Sequence, residues 1–180
     1  MLESIIKHIL VPEEEIQSIV RRLGEEINRD YADKNLIIVC VLKGSLMFTA
    51  DLAKQLNLVS EMEFVRVSTY GNATESSGEM KMLLDFERDD IEQCDLLIIE
   101  DIIDSGNTLS RLAPIFRSRN PKSLTICTLL DKPDRRVVND VKVDYTGFTI
   151  PDEFVVGFGL DYNQKYRNLP FIGSVVMNEI

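Results

Sequence analysis

LLIIEDIIDSGNTL, residues 96–109, decides how the rest of the chain is read. Four apolar residues run into Glu100 and Asp101, Ile102 and Ile103 follow, and then comes Asp104-Ser105-Gly106-Asn107-Thr108. An apolar run of this kind predicts a buried strand, and the Ser-Gly-Asn-Thr punctuation predicts a turn into a helix. Asp104 or Ser105 could do no more than cap that helix. A cap occupies one carboxylate, however, and leaves Glu100 and Asp101 unexplained on an otherwise apolar strand. In open α/β sheets ligands bind outside the carboxyl ends of the strands. A helix start with free amides and a favourable dipole seats a phosphate. The stretch therefore offers an anion cradle beside an acidic cluster, a pairing suited to a phosphorylated sugar whose hydroxyls, or a hydrated magnesium ion, the carboxylates could hold.

Working outward, the same strand-and-helix alternation recurs. PEEEIQSIVRRLGEEINRD (12–30) begins with Pro and acids and repeats Ile16, Ile19, Val20, Leu23 and Ile27 at helical spacing. LIIVCVL (36–42) predicts a buried strand, Lys43-Gly44 a turn, and SLMFTADLAKQL (45–56) a helix. EFVRVSTY (63–70) alternates as a strand, GNATESSGE (71–79) is a polar loop, and KMLLDF (81–86) suits the returning strand of a hairpin. SGNTLSRLAPIFRS predicts a helix despite Pro114, and SLTICTLL (123–130) another buried strand. Short strands are expected within 141–149, 154–158 and 171–176. Strands apolar on both faces and separated by helices predict an α/β fold with a mainly parallel central sheet flanked by helices, carrying a loop and hairpin insertion near 68–86.

The totals narrow the function classes. At 180 residues the chain is expected to form a single domain, 1–180, burying roughly 70% of its unfolded surface. A net charge of −10 argues against a nucleic-acid partner, although a local basic pocket for a phosphorylated small molecule fits within it. Cys40, Cys94 and Cys127 lack metal-ligand spacing and are expected as reduced, buried thiols. The one histidine, His8, is expected at the surface or in packing, which leaves Ser-His-Asp and Cys-His mechanisms little support. No apolar run reaches membrane-spanning length and no signal-peptide pattern opens the chain, so a cytoplasmic location is expected. There is no G-x-x-x-x-G-K-[ST], and GFGLDY (157–162) is too weak a match to a dinucleotide fingerprint. A phosphorylatable receiver domain also clusters Asp at strand ends, but it would not need the phosphate cradle that follows here.

IIEDIIDSGNT resembles the 5-phosphoribosyl-1-pyrophosphate (PRPP) motif of the purine/pyrimidine (type I) phosphoribosyltransferases. VLKGSLMFTADL, VRVSTYGNATESSGEMKM, LLDKPDRR and IPDEFVVGFGLDYNQKYRNLPFIG narrow the resemblance to the bacterial hypoxanthine (hypoxanthine-guanine) branch, in family order from about residue 10 onward. The resemblance implies a small hood, built from the N- and C-terminal segments, over the central sheet. It implies Mg²⁺-dependent transfer of phosphoribose from PRPP to N9 of hypoxanthine or guanine, giving IMP or GMP and pyrophosphate, in a homodimer or homotetramer.

By the same resemblance, Glu100 and Asp101 hold the ribose hydroxyls and Mg²⁺, and Asp104 through Thr108 (Ser105, Gly106, Asn107) wrap the 5′-phosphate. Successive strand side chains point to opposite faces, so Glu100 and Asp101 are expected to do different jobs. Asp104 also stands where the family has its general base near purine N7. Lys43 and Gly44 match the pyrophosphate loop, where the Leu42–Lys43 peptide can be cis. Lys132 would donate to purine O6, Phe154 would stack on the base, and the Val155 backbone would read its edge. Asp161, grouped with the purine-binding residues, would hold a second Mg²⁺ through the pyrophosphate, and Arg167 would contact the pyrophosphate itself. The loop Ser68–Glu79 would close over the reactants, with Thr69-Tyr70 standing where the family commonly has Ser-Tyr. The competing readings are a PRPP- or nucleotide-sensing regulator on the same fold and a transferase for another base.

Overall fold

The computed structural model describes residues 5–69 and 80–175. Its elements run β1 (Ile6–Val11), α1 (Glu13–Asp30), β2 (Leu36–Leu42), α2 (Leu46–Ala53), β3 (Ser60–Thr69) and β4 (Met80–Leu84). They continue with β5 (Asp95–Ile103), α3 (Asn107–Arg117), β6 (Ser123–Asp131), β7 (Tyr145–Thr149), β8 (Val155–Val156) and β9 (Ile172–Val175). Six strands form the central sheet in the order β4-β3-β2-β5-β6-β7, all parallel except the edge strand β4, which returns antiparallel beside β3. The expected hairpin is therefore present. Its tip, residues 70–79, including Tyr70 and most of the expected closing loop, lies outside the described residues.

Both faces of this sheet are covered, which is why its middle strands carry unbroken apolar runs. On one face Ile38, Leu97, Ile99 and Leu129 pack against Ile16, Val20, Leu23 and Ile27 of α1 and against Phe48 and Leu52 of α2. On the other, Ile37, Val39, Leu96, Ile98 and Ile126 meet Leu109, Leu112 and Phe116 of α3. Pro114 lies inside α3, where it cannot donate to the preceding turn and its ring crowds the carbonyl four residues back. Cys40, Cys94 and Cys127 are buried free thiols, and burial raises the pKa of each.

Strand order positions the site. From β2 the chain steps outward through β3 and β4, then returns to the other flank of β2 and proceeds through β5, β6 and β7. The order reverses between β2 and β5, and a crevice opens at their carboxyl ends. The last β2–β5 pair is Cys40 with Ile99, so Glu100 and Asp101 are the first β5 residues without a β2 neighbour.

A second, three-stranded antiparallel sheet, β1-β9-β8, stands beside this crevice. It joins an N-terminal strand to the C-terminal segments, as the hood expectation required. β1 itself was not among the strands read from local pattern. β8 is shorter than the run 154–158, because Gly157 and Phe158 both turn to positive φ and start a tight β-bridge between Gly157 and Leu160.

Candidate active site

Two clefts meet at the end of β5. The first, about 180 Å³, is lined by Glu100, Ile103 and every residue from Asp104 to Leu109. Gly106 has φ +85°, a left-handed turn that L side chains rarely adopt, and it starts α3 without any side-chain cap. A Cβ at this position would stand 2.9 Å from the Val138 carbonyl oxygen. Capping accounts for little here: among the described residues Asp104 makes no capping bond, and the Ser105 hydroxyl accepts only from the first helical amide, Asn107, at 3.3 Å. The helix start stays open to an anion.

Glu100 lines this cleft and Asp101 the other, so the opposite-face argument holds. Oε2 of Glu100 is buried without a hydrogen-bond partner among the described residues, and burial, reinforced by the Asp101 charge, pushes its carboxyl well above the usual range. Burial also lifts the Asp101 carboxyl to about 6, opposed by the Ile102 amide, which donates to Oδ1 at 2.9 Å, and by Arg167. Two desolvated carboxylates with this little compensation fit a site completed by a cation.

The second cleft, about 470 Å³, is lined by Asp101, Asp104, Lys132, Arg135, Asp152, Phe154, Val155 and Asp161, with Ile102 and Leu160. Lys132 follows β6 and is only 5% exposed; its backbone amide donates to Ile103 at 2.9 Å, and its ammonium has no ion-pair partner among the described residues. Phe154 is 38% exposed, and the edge of Tyr162 meets its ring at 5.8 Å. Asp104 borders both clefts; its Oδ1 lies 3.3 Å from Arg135 Nε, an ion-pair contact without hydrogen-bond alignment.

At the third corner the Leu42–Lys43 peptide is cis and Gly44 sits against Asp101. A Cβ on Gly44 would come within 1.6 Å of Asp101 Oδ2, so no larger residue fits without displacing that carboxylate. Lys43 Nζ donates to Gln164 Oε1 at 3.0 Å. Asp161 is already engaged: Arg167 Nη2 pairs with its Oδ1 at 2.8 Å and the Gln164 amide donates to its Oδ2 at 2.8 Å. Arg167 also donates to the Gly159 carbonyl at 2.7 Å.

The phosphoribosyl transferase domain family matches residues 10–163. The chain belongs to the phosphoribosyltransferase family. It is 52% identical to the hypoxanthine-guanine phosphoribosyltransferase of Bacillus subtilis, across 96% of this chain and 95% of the relative. It is 48% identical to the hypoxanthine phosphoribosyltransferase of Escherichia coli, across 94% of this chain and 95% of that protein. Among solved structures, a hypoxanthine phosphoribosyltransferase from Staphylococcus aureus superposes with a TM-score of 0.93 at 45% identity, covering 99% of this chain and 96% of that one.

In this phosphoribosyltransferase, then, Glu100 and the Asp104–Thr108 turn gather in one cleft. Asp101, Asp104, Lys132, Phe154, Val155 and Asp161 gather in the adjoining one, with Gly44 against Asp101 and Lys43 and Arg167 linked through Gln164. Thr69 ends β3, and Ser68 Oγ is buried without a partner among the described residues. No three carboxylate, histidine or cysteine side chains converge as a metal cage among the described residues, so Glu100, Asp101 and Asp161 do not form one ligand set. Mg²⁺ is commonly held by one or two carboxylates plus substrate phosphate oxygens and water, which the separate acids suit better than a cage would.

Local reading missed Arg135, Arg136 and Gln164. Arg136 donates from Nε to the Asp104 carbonyl at 3.1 Å and pairs through Nη2 with Asp131, fastening the end of β6 to the turn after β5. The signal was present: LLDKPDRR carries both arginines, but nothing local tells which carboxylate they face.

Proposed function

We propose that this chain transfers the 5-phosphoribosyl group of PRPP to N9 of hypoxanthine and guanine, giving IMP and GMP and releasing pyrophosphate. One observation carries the reading: Asp104 stands at the junction of a backbone-lined anion cradle and a cleft lined by a largely buried lysine and an exposed aromatic ring. A phosphorylated sugar in the first cleft and a base in the second would meet beside its carboxylate.

The residues divide the work accordingly. The Ser105–Thr108 turn holds the 5′-phosphate at the helix start. Glu100 and Asp101, from opposite faces of β5, take the ribose hydroxyls and the cation; Asp161 takes a second one. Bound Mg²⁺ would neutralise charge on the pyrophosphate and orient it. Lys43, the amide of Gly44 and Arg167 receive the negative charge that builds on the departing pyrophosphate. Lys132 donates to purine O6. An ammonium has no lone pair to offer a 6-amino group, so adenine is excluded. Phe154 stacks on the base, the Val155 backbone reads its edge, and Asp104 takes up the proton that N7 sheds as N9 bonds to ribose. Ser68 to Glu79, with Thr69 and Tyr70, closes over the reactants and keeps water from the ribose carbon. The 180-residue chain acts as one domain in the cytoplasm, as a homodimer or homotetramer.

Initial rates across hypoxanthine, guanine, xanthine and adenine, at saturating PRPP and Mg²⁺, test the function. Turnover of hypoxanthine and guanine without adenine is expected, with loss on chelation of the metal. Tight PRPP binding without turnover of any base would mark a sensor and overturn the assignment, as would a preference for adenine or a pyrimidine.

A further inference from the structure

The hood holds an anchor to which the proposed chemistry gives no role. Ser174, at the centre of β9, pairs with His8 of β1 on one side and Val155 of β8 on the other. Its hydroxyl, in a residue 1% exposed, donates to Oε2 of Glu153. The same carboxylate oxygen lies 3.6 Å from His8 Nε2. Glu153 immediately precedes Phe154, at the end of an exposed stretch, Pro151-Asp152, that leaves the central sheet after β7.

The Phe154 ring is not packed into the core; Tyr162 alone touches it edge-on among the aromatic rings of the described residues. Its placement therefore depends on backbone held from both sides. On the far side the Val175 amide donates to the Phe154 carbonyl at 2.9 Å and β8 pairs with β9. On the near side the Pro151-Asp152 stretch makes no strand pairing, and the Glu153 side chain ties it to the hood. A carboxylate accepting from a buried hydroxyl is a strong, directional tether.

We propose that Glu153, tied to Ser174 and flanked by His8, is a positioning residue that holds Phe154 and Val155 at the mouth of the base cleft. This rests on the purine-transfer reading above. The anchor then sets affinity for the base and leaves the chemical step alone, because it touches neither the ribose nor the pyrophosphate corner. A residue that only stabilised the hood would lower the melting temperature without separating KM from kcat.

Steady-state kinetics and nucleotide binding on the full chain, with melting temperatures in parallel, decide between these. Glu153→Ala and Ser174→Ala are each expected to raise the purine KM and the IMP dissociation constant about tenfold, the effect of losing one charge-assisted hydrogen bond. The PRPP KM and kcat stay within about twofold of the parent enzyme, since neither group makes contact in the first cleft. Glu153→Gln, whose amide oxygen still accepts from Ser174, restores most of the affinity. The double variant is no worse than Glu153→Ala alone, as expected for two ends of one bond. Purine KM unchanged in an active parent background, or kcat falling in step with it, overturns the anchor alone. A parent enzyme that turns over no 6-oxopurine overturns the function beneath it. Should Glu153→Ala fail to fold, Ser174→Ala, which removes a single hydroxyl, decides by itself.

Discussion

The two clefts at the end of β5 are built by different means. The cleft proposed for the phosphate is, apart from Glu100, one continuous stretch, Ile102 to Leu109, that wraps into a helix start and offers backbone groups to a ligand. The second cleft, where we place the base, collects side chains from β5, the segment after β6, the approach to β8 and the turn at Asp161. Backbone groups arrive with the fold and tolerate side-chain change. A pocket assembled from side chains depends on each of them and on what holds them. The first kind of site is robust, the second tunable.

Asp104 lines both clefts, so removing its charge tests whether it serves binding in either or the chemical step between them. Asp104→Asn is expected to keep PRPP affinity while kcat falls about 10²–10⁴-fold, the usual worth of a general base. Single-turnover rates close to the parent's would remove it from that role. Gly44→Ala strikes the pyrophosphate corner and, through it, Asp101: the new methyl must displace that carboxylate, and kcat/KM should fall about 10²-fold, the effect of misplacing a positioning group by about an ångström. Unchanged circular dichroism would separate this loss from unfolding. Lys132→Ala should raise the KM for hypoxanthine and guanine about 10- to 100-fold, the worth of a hydrogen bond to a charged donor, and leave PRPP binding intact. Equal losses for both substrates would show that the clefts are not independent. The smallest change belongs to the backbone-built cleft: Ser105→Ala should alter the PRPP KM by about 2- to 10-fold, because the amides remain. A loss matching that of Lys132→Ala would break the contrast.

The same distinction governs what was legible from the chain. Residues 96–109 declare strand, turn and helix because the pattern is contiguous, and the apolar runs of β2, β5 and β6 declare a sheet covered on both faces. α1 follows from Ile16, Val20, Leu23 and Ile27 on one stripe, and the hairpin partner of β3 from the polar loop between them. The residues that line the first cleft were therefore legible as one group, because they are neighbours in the chain. The pairing of β1 with β9 was not, since it joins opposite ends of the chain and neither strand is long enough to announce its neighbour. Nor were the approach of Gly44 to Asp101, the grip of Arg136 on the Asp104 carbonyl or the Ser174–Glu153 bond. Such contacts arise only after distant segments pack, and no periodicity encodes them. Lys132, Phe154 and Asp161 could be grouped at one site only through resemblance to a known family; their spacing alone would have left them as core or surface residues.

Arg136 braces the turn under one cleft to the strand end under the other. That brace resists separation of the two floors, so if phosphate and base sit in these clefts as proposed, the gap between them is held by the scaffold. A stiff inhibitor cut to that gap would collect both affinities while surrendering its freedom to tumble only once, and lengthening its spacer by a few atoms should forfeit most of that advantage.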